Sequence, residues 1–521
     1  MRGPNPKIPA FTSILFLLSL FSCQPPTDKN APLPPDTHKN FALEGLSIDE
    51  LRQKMEDGTY TARQITQLYL DRIQQIDQNG PALHAVLEIN PDALAIADAL
   101  DKERAEHKVR GPLHGIPVLI KDNIDTGDKM QTTAGSIAML GNRAARDAFI
   151  IQKLRDAGAI ILGKTNLSEW ANYRSPNSIA GWSSRGGQTK NPYVLDLSPC
   201  GSSSGSAVAV AADLCMIAVG TATDGSIGCP SSLNGIVGLK PTLGLVSCSG
   251  TIPISKTLDS PGPMARTVKD AAILLGVMAG EDPSDKGVFG KSGKSKQDYT
   301  TYLKPDGLKG KRIGVEKTMM LEKDGIGALL QKAIAQLKNN GATIVEVEFS
   351  NEYYALNKEE SVVMQYEFKD GINKYLATST SKMHSLEDVI GYNQQHESVM
   401  MPFFKQELME GAESKGSLDS PEYKQNLSKL LSMRKYVDAL MAKNNLDALC
   451  GVGAGAYGPG AITGYPSITV PMGFFEEVPY GLTFIGKPFG EPGLFTIAYG
   501  YEQVSKNRAS PSYIPNFNRT Q

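Results

Sequence analysis

AFIIQKLRDAGAIILGKT, residues 148–165, decides the fold, because its second half admits two readings. GAIILGKT (158–165) fits the phosphate-loop pattern G-x-x-x-x-G-K-[ST] position for position. A working phosphate loop runs strand, glycine-rich turn, helix, so that backbone N–H groups converge on the phosphates. Here the order is reversed. AFIIQKLRDAG is a helical segment with Gly158 as its C-terminal stop, and AIIL (159–162) is strand material. Gly163-Lys164-Thr165 follows the strand, with no glycine inside the turn before it. The stretch is a helix end and a strand, and it carries no nucleotide.

Working outward, the same alternation recurs. IPVLI (116–120), MIAVG (216–220), RIGV (312–315), ATIVEVEF (342–349), DALCGVG (447–453), SITVPMG (467–473) and GLTFIG (481–486) are short apolar runs with little polar alternation. Such runs suit strands buried on both faces, between layers of helix. At the start, Ser47-Ile48-Asp49-Glu50 and Thr61-Ala62-Arg63-Gln64 fit the capping box, and Ile65, Leu68, Tyr69, Ile73 and Ile76 follow at helical spacing. The class is α/β: a single large domain with a central mixed, mostly parallel sheet covered by helices on both faces. From 350 to 445 the pattern becomes helical, with methionines and aromatics among the charges, and this region reads either as packing beside the sheet or as a substrate-side lid.

The 521 residues would allow about three domains by length, but no second linker divides them. The 280–297 stretch has flexible-loop composition and is followed by more of the same pattern. Residues 1–22 read as an export signal: Arg2 and Lys7, then an apolar stretch too short to cross a bilayer. The stretch closes on Leu20-Phe21-Ser22-Cys23, which resembles the lipobox of bacterial lipoproteins, with Cys23 as the lipidated residue. Residues 23–42, rich in proline and polar side chains, read as a flexible tether, and 43–515 as the functional domain. Net charge is −2 with acids and bases mixed, so no basic face argues for nucleic acid. The remaining cysteines, Cys200, Cys215, Cys229, Cys248 and Cys450, are odd in number and show no metal-ligand spacing. They imply buried free thiols without a disulfide framework.

G-S-S-S-G at 201–205 fits the nucleophile elbow of α/β-hydrolases, with Ser203 central. That fold would need an acid and a histidine downstream, for which Asp370 and His384 or His396 could be nominated. Both histidines sit in polar helical surroundings, and NPYVLDLSPC does not lead a clean strand into the turn.

Three other stretches make chemical sense together. GPLHGIPVLIKDNID (111–125) delivers Lys121 at the end of a buried strand, where burial drives an ammonium towards its neutral, basic form. SPCGSSSGSAVAVAADL (198–214) is a run of hydroxyls and glycines opening an alanine-valine helix. GTATDGSIGCPSSLNGIVGLKPT (220–242) places Ser226 after a turn able to aim backbone N–H groups at one point, as an oxyanion hole requires.

Together these stretches resemble the amidase signature family. GKTNLSEWANYRS (163–175), SPGPMARTVKDAAILLGVMAGEDPSD (260–285) and GYPSITVPMG (464–473) follow in family order, and the likeness covers about residues 45–508. Ser202 and Ser226 stand 24 positions apart, as the two family serines do. The resemblance implies that Ser226 is the nucleophile, that Ser202 relays the proton and follows a cis peptide bond after Gly201, and that Lys121 is the ultimate base. It implies a supporting hydrogen bond from Ser203 to the lysine and an oxyanion hole made by the backbone N–H groups of Thr223, Asp224, Gly225 and Ser226. No metal and no cofactor belong to that chemistry.

Where many family members read G-T-D-x-G-G-S-I-R, this chain reads G-T-A-T-D-G-S-I-G, so Ala222 removes an acid and Gly228 an arginine. Cys200-Gly201 replaces a glycine pair, and Ser204 replaces a glycine. Asp224-Gly225-Ser226 resembles the peptide-amidase branch. These changes, with the export signal, point away from a transamidosome component. The expected function is hydrolysis of small amides, amino-acid amides or peptide C-terminal amides by an exported protein. It would be held at the periplasmic face of a bacterial membrane or envelope, touching the membrane only through the Cys23 anchor. The alternative is a lipoprotein that binds a ligand on the same scaffold without cleaving it.

Overall fold

The apolar runs form the strands they promise. In the computed structural model, which describes residues 41–285, 298–321 and 324–516, all five residues of Pro117–Lys121 are buried, as are all six of Ile160–Thr165 and of Ile217–Ala222. The export segment 1–22, Cys23 and the tether up to residue 40 lie outside the described residues, as do 286–297 of the loop-like stretch.

Eleven strands make one sheet. In chain order they are β1 (Val86–Ile89), β2 (Pro117–Lys121), β3 (Ile160–Thr165), β4 (Ile217–Ala222), β5 (Val237–Lys240), β6 (Ser260–Ala265), β7 (Arg312–Glu316), β8 (Thr343–Val347), β9 (Ala448–Val452), β10 (Ser467–Phe475) and β11 (Val478–Ile485). Across the sheet the order is β1-β3-β2-β4-β6-β5-β10-β11-β9-β7-β8. The sheet is mixed, but the expected parallel majority is absent. β2–β3, β2–β4, β7–β8 and β7–β9 pair parallel, whereas six neighbouring pairs are antiparallel. The centre, β4-β6-β5-β10-β11, is antiparallel throughout. Helices cover these strands as well, so their composition carries no mark of direction.

Local rules hold at the helix starts. Ser47 and Thr61 form complete capping boxes with Glu50 and Gln64, and Phe149–Asp156 is the helix that Gly158 terminates. Residues 350–445 supply seven helices, from Ser350–Tyr354 to Ser432–Lys443. The Asn357–Leu376 helix joins two buried clusters: Phe368 and Ile372 pack with Trp170 and Tyr173, and Val363 and Tyr366 pack with Tyr353 and Tyr423. The helical region thereby rests on the loop that follows β3, and Tyr353 donates to Asp224 in the loop that follows β4. Among the described residues no helix is long and apolar enough to cross a membrane.

Candidate active site

β2 ends on Lys121, between β3 and β4, and the side chain is fully buried. Its Nζ lies 2.8 Å from Ser202 Oγ, 3.0 Å from Ser203 Oγ, 2.8 Å from Thr221 Oγ1 and 3.2 Å from the Thr221 carbonyl oxygen. Among the described residues no carboxylate pairs with it directly. Burial pushes its pKa well below the ordinary lysine value, with the charge of Asp259 only partly opposing.

The protons can be assigned from the bonding. Ser203 donates its hydroxyl to the Thr221 carbonyl at 3.0 Å and accepts the Thr221 N–H at 3.1 Å, so towards Lys121 it can only accept. A neutral amine has two N–H donors and one lone pair. Ser203 and the Thr221 carbonyl take the donors, leaving the lone pair for a hydroxyl. Thr221 Oγ1 accepts from Asn123 Nδ2 at 3.1 Å, which leaves its own hydrogen to donate, so two hydroxyls, those of Thr221 and Ser202, lie 2.8 Å from Nζ within reach of that lone pair. Ser202 is fully buried, and Lys121 is the only side chain hydrogen-bonded to its hydroxyl among the described residues. The geometry allows an O–H of Ser202 to point at the Lys121 lone pair.

The backbone around Ser202 is tightly specified. The Gly201–Ser202 peptide bond is cis, the Ser202 carbonyl accepts the Ser168 N–H at 3.1 Å, and a Cβ on Gly201 would lie 2.2 Å from Ser168 Oγ. Only glycine fits there. Ser226 is tied to the same unit through its backbone, since the Ser203 N–H donates to the Ser226 carbonyl at 3.2 Å. Unlike Lys121, Ser202 and Ser203, Ser226 is partly exposed. Among the described residues no hydrogen bond joins its hydroxyl to Ser202; such contacts commonly tighten only around substrate.

Ser226 lies between β4 and the Gly228–Leu233 helix. The N–H groups of Thr223, Asp224, Gly225 and Ser226 have no backbone acceptor among the described residues; that of Gly225 also faces the Asp224 carboxyl. Thr223 is held by Asp259, which accepts its hydroxyl at 2.6 Å and the N–H groups of Ile254 and Ser255 at 2.8 and 2.9 Å. Burial raises the Asp259 carboxyl to about 6. Where the family pattern has an arginine, a Cβ on Gly228 would touch the Tyr457 ring at 3.0 Å, and one on Gly225 would meet the same ring at 2.3 Å. Tyr457 occupies the space that the Gly225–Gly228 turn leaves open.

Thr221, Asn123, Asp259 and Tyr457 were not singled out by sequence. Thr221 and Asn123 stand inside the quoted motifs as ordinary polar residues, and Asp259 and Tyr457 reach the site only through the fold. The cysteine expectation needs correction. Cys200 and Cys229 form a disulfide with a Cα–Cα distance of 5.9 Å, while Cys215, Cys248 and Cys450 are free. Their separation of 29 carries no motif; folding lays the loop before Ser202 against the first turn of the helix after Ser226.

Both decoys dissolve. Lys164 is fully buried and donates to the Ile124 carbonyl at 2.6 Å and to Thr132 Oγ1 at 3.0 Å, with Asp122 at 3.8 Å, so it is a structural cation. His384 and His396 are exposed, and the Ser203 hydroxyl is committed to Lys121 and Thr221, so among the described residues no Ser-His-Asp arrangement exists at the elbow.

Comparison with known proteins agrees with this geometry. The Amidase family model matches residues 64–452. The chain is 45% identical to a peptide amidase from Stenotrophomonas maltophilia of known structure, with a TM-score of 0.88 over 91% of this chain and 100% of that one. An amidase family protein from Bacillus anthracis, also of known structure, is 38% identical, with a TM-score of 0.85 over 90% of this chain and 93% of that one. The chain is 41% identical over 485 residues to a protein named "probable amidase" from Arabidopsis thaliana, covering 91% of this chain and 93% of the relative.

Proposed function

The chain belongs to the amidase family, in its peptide-amidase-like branch, and hydrolyses amide C–N bonds; from that premise we propose that Ser226 is the nucleophile, Ser202 the proton relay and Lys121 the base. The observation that carries this reading is the 2.8 Å approach of a fully buried Lys121, its pKa pushed well below the ordinary lysine value by burial, to Ser202.

Lys121 takes the Ser202 proton as Ser202 takes that of Ser226, and Ser226 Oγ forms a bond to the amide carbonyl carbon. The carbonyl oxygen gains the negative charge and is met by N–H groups of the 223–226 turn, each worth about 3–4 kcal/mol in the transition state. Collapse breaks the C–N bond. The proton returns through Ser202 to the leaving amine, giving ammonia or an amine and an acyl-Ser226 ester. Water, deprotonated by the same relay, cleaves the ester and regenerates Ser226. Ser203 and Thr221 hold Lys121 so that its lone pair stays on Ser202. A non-catalytic binder on this scaffold has no support from the site or the relatives.

The substrates are small amides, amino-acid amides or peptide C-terminal amides. Likeness to a peptide amidase supports this, as does Asp224-Gly225-Ser226. The protein is exported and anchored through lipid on Cys23. The apolar 1–22 segment and the lipobox-like ending support that reading, and the Cys200–Cys229 disulfide suits an oxidising compartment. A panel of amidated peptides, amino-acid amides and aliphatic amides tests the reaction: the wild type releases ammonia and Ser226→Ala does not. Hydrolysis that survives Ser226→Ala would sink the assignment. Incorporation of labelled palmitate, lost in Cys23→Ser, tests the anchor.

A further inference from the structure

The nucleophile turn leaves the sheet at Ala222, the last residue of β4, which pairs with Ser260 of β6. The next two side chains are both tied to the helical region. Asp224 accepts the Tyr353 hydroxyl at 3.2 Å. Thr223 reaches the same region indirectly, through Asp259 and the turn before β6.

Glu367, in the Asn357–Leu376 helix, is 1% exposed, and four hydrogen bonds reach it among the described residues. Its Oε2 accepts the Ser255 hydroxyl and, at 3.0 Å, the Thr257 N–H. Its Oε1 accepts the Thr257 and Tyr423 hydroxyls, each at 2.5 Å. All four donors are neutral. The loop also packs along that helix: Ile252 and Ile254 share a buried cluster with Phe368 and Ile372, and a Cβ on Gly371 would lie 2.8 Å from Pro253 Cγ.

From there the hold passes to Asp259. The N–H groups of Ile254 and Ser255 donate to its Oδ2 at 2.8 and 2.9 Å, and its Oδ1 accepts the Thr223 hydroxyl at 2.6 Å. The Asp259 N–H closes the turn on the Ser255 carbonyl at 2.8 Å. Ser255 is the shared member, with its hydroxyl on Glu367 and its N–H on Asp259. The loop borders the site as well, since Thr251, Ile254 and Asp259 line one cavity with Asn123, Thr221 and Thr223.

A carboxylate buried among neutral donors often costs more in desolvation than an apolar side chain of similar shape, but a fully bonded polar network fixes its members in one geometry. Fixed geometry has a use here. N–H groups that meet a developing oxyanion act only if they are aimed beforehand, and the Thr223 end of the turn lies past the end of β4.

We propose that Glu367 is a positioning residue of the amidase reaction: it holds the 255–257 backbone, which holds Asp259, which holds Thr223 at the start of the oxyanion turn. The helical region thus sets the geometry in which the carbonyl oxygen is bound. The proposal rests on the reading of Ser226 as nucleophile.

Rates are measured on whichever amide of the panel the wild type cleaves fastest, per site titrated to completion with a fluorophosphonate, so that unfolded protein does not count. Glu367→Gln replaces one acceptor oxygen by a donor and lowers kcat at least fivefold with KM within twofold. In an Asp259→Asn background the same change lowers kcat less than threefold, because both residues act through Thr223. A Glu367 that only supports the fold would lower the thermal midpoint and leave kcat per titrated site within fivefold of wild type; that result overturns the proposal. A further fall of threefold or more in the double variant overturns it too, as does an effect carried by KM instead of kcat. If Glu367→Gln yields no titratable protein, Ser255→Ala decides on the same thresholds, since it removes the hydroxyl link and keeps the N–H on Asp259. Turnover that Ser226→Ala abolishes but Glu367→Gln spares overturns the Glu367 role alone. Turnover that survives Ser226→Ala, or none in the wild type, overturns the nucleophile reading and this role with it.

Discussion

Lys121 Nζ lies 2.8 Å from Ser202 Oγ, and both side chains are wholly removed from solvent. An ammonium so placed would lose its hydration, and among the described residues no carboxylate pairs with it directly, so burial favours the uncharged amine. Catalysis needs that form. With the pKa displaced downwards, kcat/KM rises with pH through the Lys121 titration and levels off below the usual lysine range. A pH profile on a neutral amide checks this; a flat profile from acid to alkaline pH contradicts it. Lys121→Ala is expected to lower kcat by about 10³-fold or more, within the span of general-base contributions.

Ser203 fixes the orientation of that lysine. Removing its hydroxyl strands the Thr221 N–H and one N–H of Lys121, and leaves the Thr221 carbonyl with Lys121 as its donor. Ser203→Ala is therefore expected to cost about 1–3 kcal/mol of stability and to lower kcat by about 10- to 100-fold. A thermal midpoint and steady-state rates measure the two effects. A variant with wild-type values in both would show that the network is dispensable.

Asp259 acts at one remove, through Thr223. Its carboxylate anchors the Thr223 hydroxyl and two N–H groups of the 254–255 turn. Asp259→Asn weakens that hold at the start of the oxyanion turn. A tenfold or greater fall in kcat with KM nearly unchanged is expected, because loss of a transition-state interaction appears in kcat. A change confined to KM would place Asp259 in substrate binding instead.

The Cys200–Cys229 disulfide closes a loop of 29 residues that contains Ser202 and Ser226, and chain entropy assigns such a loop about 3–4 kcal/mol. The double variant Cys200→Ser/Cys229→Ser should unfold at clearly lower temperature, and reductant should lower the wild-type midpoint towards it. Midpoints indifferent to reductant would contradict the role.

Some of this was written locally and some was not. Pro117–Lys121 and Ile160–Thr165 are continuous apolar runs, and Gly158 marks the helix end between them, so strand, stop and strand could be read directly. β6, SPGPMA, could not: its two prolines argue against a central strand. It is tolerated because Pro261 and Pro263 share one parity, leaving donors missing on one side only, while β5 pairs just with Met264 and Ala265. Among site residues, Lys121, Ser202 and Ser226 lay in motifs with their neighbours. Asp259 and Tyr457 reach the same region from a distant loop and helix, where a lone acid or aromatic has no periodicity to betray it. The disulfide was missed for the same reason, since proximity of Cys200 and Cys229 is a property of the fold.

The most direct measurement is covalent labelling with a fluorophosphonate, followed by peptide mapping and by the rate of adduct formation. The account predicts a single adduct on Ser226 in the wild type and labelling slowed by orders of magnitude in Lys121→Ala. An adduct on Ser203, or a Lys121→Ala protein that labels as fast as wild type, would contradict it.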